Sequence, residues 1–253
     1  MNFKLNLLAA AALLAAGSAH AAIDAGATGN GELFFSMWDT NGSYSRDLNT
    51  TIDAFQTTLA AGGSIDLSWA ADSTFTGFLA GADTATLKWN VVATDTVGAR
   101  RILTTYSLPE VSPTRTNDLM RTAATNVQSF ATSINGIIGA NESIAVNAAS
   151  AAYAGQAAFG DKINSKLNFS NAGTLANNSY ASGLGFMRID AASTGIASSV
   201  YNEYLDSSVA VNTYLDSSNM LHISAVAVPE ADTYAMLLAG LGLVGFMARR
   251  RTA

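Results

Sequence analysis

Two short stretches, SIDLSW and TLKWNVV, constrain this chain more than anything else in it. In the first, Ile65, Leu67 and Trp69 alternate with Asp66 and Ser68; in the second, Leu87, Trp89 and Val91 alternate with Lys88 and Asn90. A period of two places apolar side chains on one face of an extended strand and polar ones on the other. One buried face and one wet face is the habit of antiparallel sheets. In ELFFSMWDTNGSYSRDL, Asn41-Gly42 separates two strand-like runs and signals a hairpin. The alternation returns late in the chain, at Val209, Val211, Thr213 and Leu215 of VAVNTYL, and LHISAVAV closes the domain.

Between these strand regions the period changes. Leu119, Ala123, Val127, Phe130, Ile134 and Ile138 step by three or four, which predicts an amphipathic helix. Ser112 before Pro113, or Asn117, suits its start and Gly139 its end. A second, Ala-rich helix is predicted from Asn141 to Phe159, giving a helical insertion over about 113–159. The expected fold is a mainly β, antiparallel β-sandwich or jelly-roll-like domain carrying that insertion. The segment Tyr204-Leu205-Asp206-Ser207-Ser208 recurs at Tyr214-Leu215-Asp216-Ser217-Ser218. Two copies are too few for a solenoid and read as successive hairpin arms.

The two ends differ from this body. Lys4 supplies a positive n-region, Leu5 to Ala16 an apolar stretch, and Ala19-His20-Ala21 a small-x-small cleavage site, so residues 1–21 read as a secretory signal and the mature chain starts at Ala22. An exported body over 22–227 without a single cysteine must hold together by packing, which a chain of this length can do. The lack of cysteine also removes thiolate metal sites and cysteine nucleophiles. Of 13 Lys and Arg residues, Lys4 and Arg249, Arg250 and Arg251 lie at the ends, so nine basic residues face 19 acidic ones in the body. That surface disfavours nucleic acid as a partner.

From Thr233 to Ala248 no residue is charged. At about 1.5 Å per residue, a helix there covers most of the hydrocarbon slab, and Arg249, Arg250 and Arg251 can snorkel to the interface. The arginines follow the apolar run, which leaves the C-terminus cytoplasmic and the body outside. The competing reading, a buried core helix with a basic tip, sits poorly with Gly240, Gly242 and Gly245, each of which weakens a soluble helix by up to about 1 kcal/mol. Nor does a core helix need Val228-Pro229-Glu230 before it, where Pro229 keeps the chain extended.

A Pro-Glu motif, a short Gly- and Leu-rich helix and a terminal arginine cluster, paired with a signal peptide, resemble the PEP-CTERM sorting signal of Gram-negative bacteria. The likeness covers residues 228–253: the motif at Val228, Pro229 and Glu230, the membrane helix at 233–248, and the stop-transfer arginines. The family's usual second proline is Ala231 here. The resemblance implies recognition by an exosortase, a membrane protease-transpeptidase. It further implies processing near the motif, a transient stay in the inner membrane, and delivery to the cell surface or an exopolysaccharide matrix.

Catalytic chemistry is scarce. After signal removal the only histidine is His222, which faces away from Leu221, Ile223 and Ala225 on its strand. No second histidine completes a usual zinc site, and no Gly-x-Ser-x-Gly elbow is present. A Ser-His-Asp triad would have to be built around His222 alone. Asp39, Asp47, Asp53, Asp66, Asp95 and Glu203 supply carboxylates for glycoside hydrolysis, but none stands in a distinctive context. DTNGSYSRD places Asp39, Asn41 and Asp47 in one stretch as weak calcium candidates; hairpin chemistry explains Asp39 and Asn41 without an ion. No cofactor is implied. Trp69 and Trp89 fall on the apolar face of their strands, and Trp38 also lies in a strand pattern, whereas Tyr44, Tyr204 and Tyr214 are placed to be wet. The expectation is therefore a non-enzymatic surface or matrix protein. The alternatives are a carbohydrate-binding module, marked by a wet aromatic strip, and a carboxylate-based hydrolase, marked by an acid pair in a cleft.

Overall fold

A computed structural model describes residues 22–225 except 61–64, 99, 108–114, 193 and 207–208. The strands are β1 (Glu32–Trp38), β2 (Gly42–Thr51), β3 (Asp66–Trp69), β4 (Lys88–Thr94), β5 (Arg101–Tyr106), β6 (Ser143–Asn147), β7 (Leu184–Asp190), β8 (Val200–Glu203), β9 (Leu205–Asp206), β10 (Val209–Ala210), β11 (Asn212–Leu215) and β12 (Leu221–Ser224). Among the described residues three α-helices accompany them, α1 (Ile52–Ala60), α2 (Ser73–Gly81) and α3 (Asn117–Ile138), with one 3-10 turn at Tyr180–Ser182.

Ten strands form one sheet in the order β3-β12-β11-β7-β5-β4-β1-β2-β6, with β8 also paired to β7; β9 and β10 make a separate hairpin. Every pairing is antiparallel. The expected sandwich of two sheets is replaced by a single curled sheet. Strand-to-strand twist of about 20–25° accumulates over so many strands and rolls a wide sheet up on itself. The roll brings the β3 edge to β2: Trp69 Nε1 donates to Leu48 O at 3.3 Å, and Arg46 Nη1 to Ala70 O at 2.6 Å. Strand β6 pairs with β2 only from Gly42 to Arg46, so the upper part of β2 is free to receive β3.

Alternation on the strands sorts the core into two layers. Leu33, Phe35, Met37, Trp89, Val91, Leu103, Phe186, Leu221 and Ile223 fill the inside of the roll, together with Phe55 of α1 and Phe75 of α2. Phe34, Trp38, Val92, Ile102, Met187 and Ile189 point outward and are covered by α3 and by residues between Ala152 and Ala172. The central strands are thus buried on both sides, as in β4, where six of seven residues are buried.

Helix α3 follows the expected stripe from Ala123 through Val127, Phe130 and Ile134 to Ile138, all buried, but at its start Met120 is buried and the expected Leu119 only half-buried. Gly139 ends it with φ 62°, a conformation that costs glycine nothing. Thr116, rather than Ser112 or Asn117, occupies the N-cap, without a side-chain capping bond. The second predicted helix is not formed. Ser143–Asn147 is strand β6, because the open edge of β2 offers it a ladder, and turns follow from Ala148 to Phe169. The insertion is therefore one helix, not two. Helices α1 and α2 are additional to the expected elements, and both carry a signal: Ile52, Phe55 and Leu59 recur at helical spacing, and Asp72 caps α2 by accepting from Phe75 N at 2.7 Å. Among the described residues no helix is long and apolar enough to cross a membrane. The sequence-predicted span 233–248 lies outside them.

Candidate functional site

The body begins with a clamp. Ala22, the predicted mature start, is exposed, and the next residue is buried and held twice. Ile23 N donates to Asn135 Oδ1 at 2.9 Å, and Asn135 Nδ2 donates to Ile23 O at 2.7 Å. Ala19 and Ala21 lie outside the described residues. At the other end, Ala225 is buried beside the roll and donates its N–H to Ile65 O at 3.0 Å. Val228, Pro229, Glu230, Arg249, Arg250 and Arg251 lie outside the described residues.

The calcium candidates are not brought together. Asp39 closes the β1–β2 turn: Oδ1 accepts from Asn41 N at 2.8 Å and Gly42 N at 2.9 Å, and Oδ2 from Asp83 N at 2.6 Å. Asp47 sits well up β2, opposite Phe34, and accepts from Asn49 N at 2.7 Å. Among the described residues no three acidic or histidine groups converge as a metal site. Burial pushes the Asp39 carboxyl up, but the N–H groups of Asp83, Asn41 and Gly42 and the Asn41 amide outweigh it and hold it below its ordinary value of 3.8. The stability this contributes is complete above the unfolded carboxylate range, about 3.9, and is lost as pH falls through the folded value. Asp39→Ala is expected to cost about 1–3 kcal/mol at pH 7 by stranding these donors. In urea melts the gap to the parent should narrow at pH 3; a gap of the same size at both pH values would assign the effect to something other than the carboxylate.

The remaining carboxylates are mostly structural. Asp53 and Asp95 both grip Arg101, at 2.7 and 2.8 Å, which ties α1 to the sheet. Burial lowers the Arg101 guanidinium, and the hydrogen bonds and charges of these two aspartates more than reverse that. Asp66 lies on the outer face of β3, and the side chain of Glu203 lies outside the described residues.

One cleft, of about 70 Å³, opens between α3 and the ends of β4, β5 and β7. It contains two carboxylates, Asp95 and Asp190, beside Arg100, Arg121 and Asn117. Both oxygens of Asp95 accept from Arg101, and Asp190 accepts from Arg188 and Asn202 at Oδ2, with Oδ1 in ion-pair contact with Arg188. A hydrolase needs one acid free to give up a proton and another free to activate water or attack. The cleft also falls far short of the several hundred Å³ of a typical ligand pocket.

His222 occupies the outer face of β12, as its alternation requires. Its Nε2 lies 3.3 Å from Asp216 Oδ2, and Ser68 is its partner in register on β3. Nδ1, the nitrogen left to activate a serine, has no hydrogen-bond partner among the described residues. The three residue types of a triad are neighbours here without the hydrogen bond that would make a nucleophile.

The aromatic expectations divide. Trp38 and Trp89 are buried, and Trp69 is half-buried at the seam. Tyr44 and Tyr204, expected to be wet, are buried instead. Tyr44 donates to Asp72 at 2.7 Å beneath α2, and Tyr204 packs on Phe55 and Phe186. Burial drives both hydroxyls up, with the Asp72 hydrogen bond adding to it at Tyr44. Curling is responsible, because it encloses faces that a flat sheet would leave in water. Tyr214 does reach the surface, but its ring lies parallel to that of His222, 4.7 Å away. Each ring thus covers one face of the other.

The second copy of the repeated segment forms the expected hairpin turn, and Ser207-Ser208 of the first lie outside the described residues. The second copy turns β11 into β12, with Asp216 Oδ1 accepting from Ser218 N and Met220 N, and the first lies where β9 pairs with β10.

Comparison with known proteins places one feature. Residues 227–251 match the family model of the PEP-CTERM protein-sorting motif. No curated protein and no solved structure matches the chain.

Proposed function

We propose that this chain, which carries a PEP-CTERM sorting motif, is an exported, non-enzymatic protein of the cell surface or of an exopolysaccharide matrix. An exosortase acting on the tail delivers it there. The observation that carries this reading is the motif match over 227–251, which starts just after the last strand of a folded body. In the proposed sequence of events the signal is removed before Ala22 and the apolar run 233–248 halts in the inner membrane, with Arg249 to Arg251 on the cytoplasmic side. The exosortase then cuts near Val228-Pro229-Glu230. The committed carboxylates of the cleft and the mutually stacked rings of Tyr214 and His222 lend little support to a hydrolase or a sugar-binding module.

Intact-mass measurement on protein taken from the native cell surface tests this. The expected species starts at Ala22 and lacks the apolar tail. Surface protein that still contains Phe246 would overturn the sorting reading.

A further inference from the structure

The strand directions assign each loop to one end of the roll. Arg101 pairs with Asp190 and Tyr106 with Gly185, so the start of β5 and the end of β7 share an end. Thr94 pairs with Ile102, which puts the β4–β5 connection there too, and Asp190 pairs with Val200, which adds the start of β8. Strand β11 runs against β7, and β12 runs against β11. Strand β12 therefore points the same way as β7 and directs the chain toward this end, with Ser224, opposite Asn212 and so level with Gly185, roughly 17 Å short of Asp190 by strand rise.

The surface at that end is unusual for this protein. Four large apolar side chains are exposed among the described residues, and three of them are here: Val97, Ile196 at 88% exposure, and Val200. Beside them Arg100 and Arg121, both exposed, form no ion pair among the described residues. Arg100 holds a left-handed backbone, φ 54°, a conformation that disfavours a side chain. The seven residues 226–232 separate Ala225 from the uncharged run, and even fully extended they reach only about 25 Å.

We infer that this end of the roll rests on the membrane surface while the tail is still inserted. Val97 and Ile196 enter the headgroup layer, and Arg100 and Arg121 contact lipid phosphates. The occupant is a lipid surface because β12 points the departing chain toward this end and only seven residues, 226–232, link Ala225 to the uncharged run. Aliphatic tips beside unpaired arginines are the composition that an interface of headgroups and acyl chains accepts. Contact would hold the roll in one orientation above the bilayer and present Val228-Pro229-Glu230 at a fixed height. This rests on the membrane reading of the tail.

The chain has no cysteine, which makes a positional test direct. Val97→Cys and Ile196→Cys place single probes at this end. Thr40→Cys and Ser218→Cys place them on exposed turns at the other end, about 20 Å away by strand length. Full-length protein made without exosortase is inserted into phosphatidylethanolamine–phosphatidylglycerol vesicles containing a headgroup-nitroxide lipid. A fluorophore at 97 or 196 should be quenched severalfold more than one at 40 or 218. Arg100→Glu with Arg121→Glu should reduce that difference. Vesicle flotation that resists carbonate reports on the tail separately. Protein that does not float overturns the membrane reading and this inference with it. Flotation with equal quenching at all four positions overturns this inference alone.

Discussion

A chain with both Pro229 and Glu230 replaced by alanine is expected to be exported, to stay in the inner membrane and to keep its tail. Proline fixes its own φ and disfavours helix at Val228, so the stretch above the apolar run stays extended. Alanine, the best helix former, lets the helix extend upward and removes the one fixed negative charge of the motif. The apolar run is untouched, so insertion should survive while cutting fails. Replacing Arg249, Arg250 and Arg251 with serine is expected to fail differently. Arginine costs about 2.5–3.5 kcal/mol at the centre of a membrane helix, so three of them form a strong stop, and serine forms a far weaker one. That variant should slip through or invert. An epitope after Ala253 would then be reached by protease from outside, whereas in the Pro229/Glu230 variant it stays protected. Both variants reaching the surface as well as the parent would return the tail to a core helix.

Trp89→Ala is expected to destabilise the body by about 3–5 kcal/mol. Trp89 is fully buried, and its ring lies 6.1 Å from that of Phe35 in the centre of the roll. Its Nε1 donates to Thr174 O at 2.9 Å, and its backbone exchanges two bonds with Gly173, at 3.0 and 2.8 Å. One residue thus joins the inner core, β4 and the long segment that replaces β5 along the lower half of β4. Emptying such a site costs about 3–5 kcal/mol, a large share of the 5–15 kcal/mol that stabilises a domain. Denaturant melts of parent and variant check it. A loss below about 1 kcal/mol would mean that the roll closes over the cavity.

Local pattern was readable wherever one rule decided it. Ile65, Leu67 and Trp69 face inward on β3 because a period of two allows nothing else, and the stripe from Ala123 to Ile138 makes α3 for the corresponding reason. The stop at Gly139 follows from backbone freedom, while the hairpin at Asn41-Gly42 rests on the Asp39 carboxylate and on the close approach of the Val146 carbonyl to Gly42. Where two rules competed, partners settled the outcome. Asn141 to Phe159 has the composition of a weak helix, but the vacant edge of β2 offers Ser143–Asn147 a complete ladder. Asp39 has the chemistry of a calcium ligand, but three backbone N–H groups reach it first.

By itself the sequence determined the antiparallel class, the one long helix and the sorting motif over 227–251. Each rests on residues close in the chain, whose spacing or order carries the whole signal. Only the tertiary structure decided that the strands make one curled sheet rather than two, that Tyr44 and Tyr204 are core, and that Asp53 and Asp95 share Arg101. Those outcomes depend on twist summed across ten strands and on residues 42 positions apart meeting at one guanidinium. No local pattern encodes such a sum, because it exists only once the sheet has rolled far enough for β3 to reach β2.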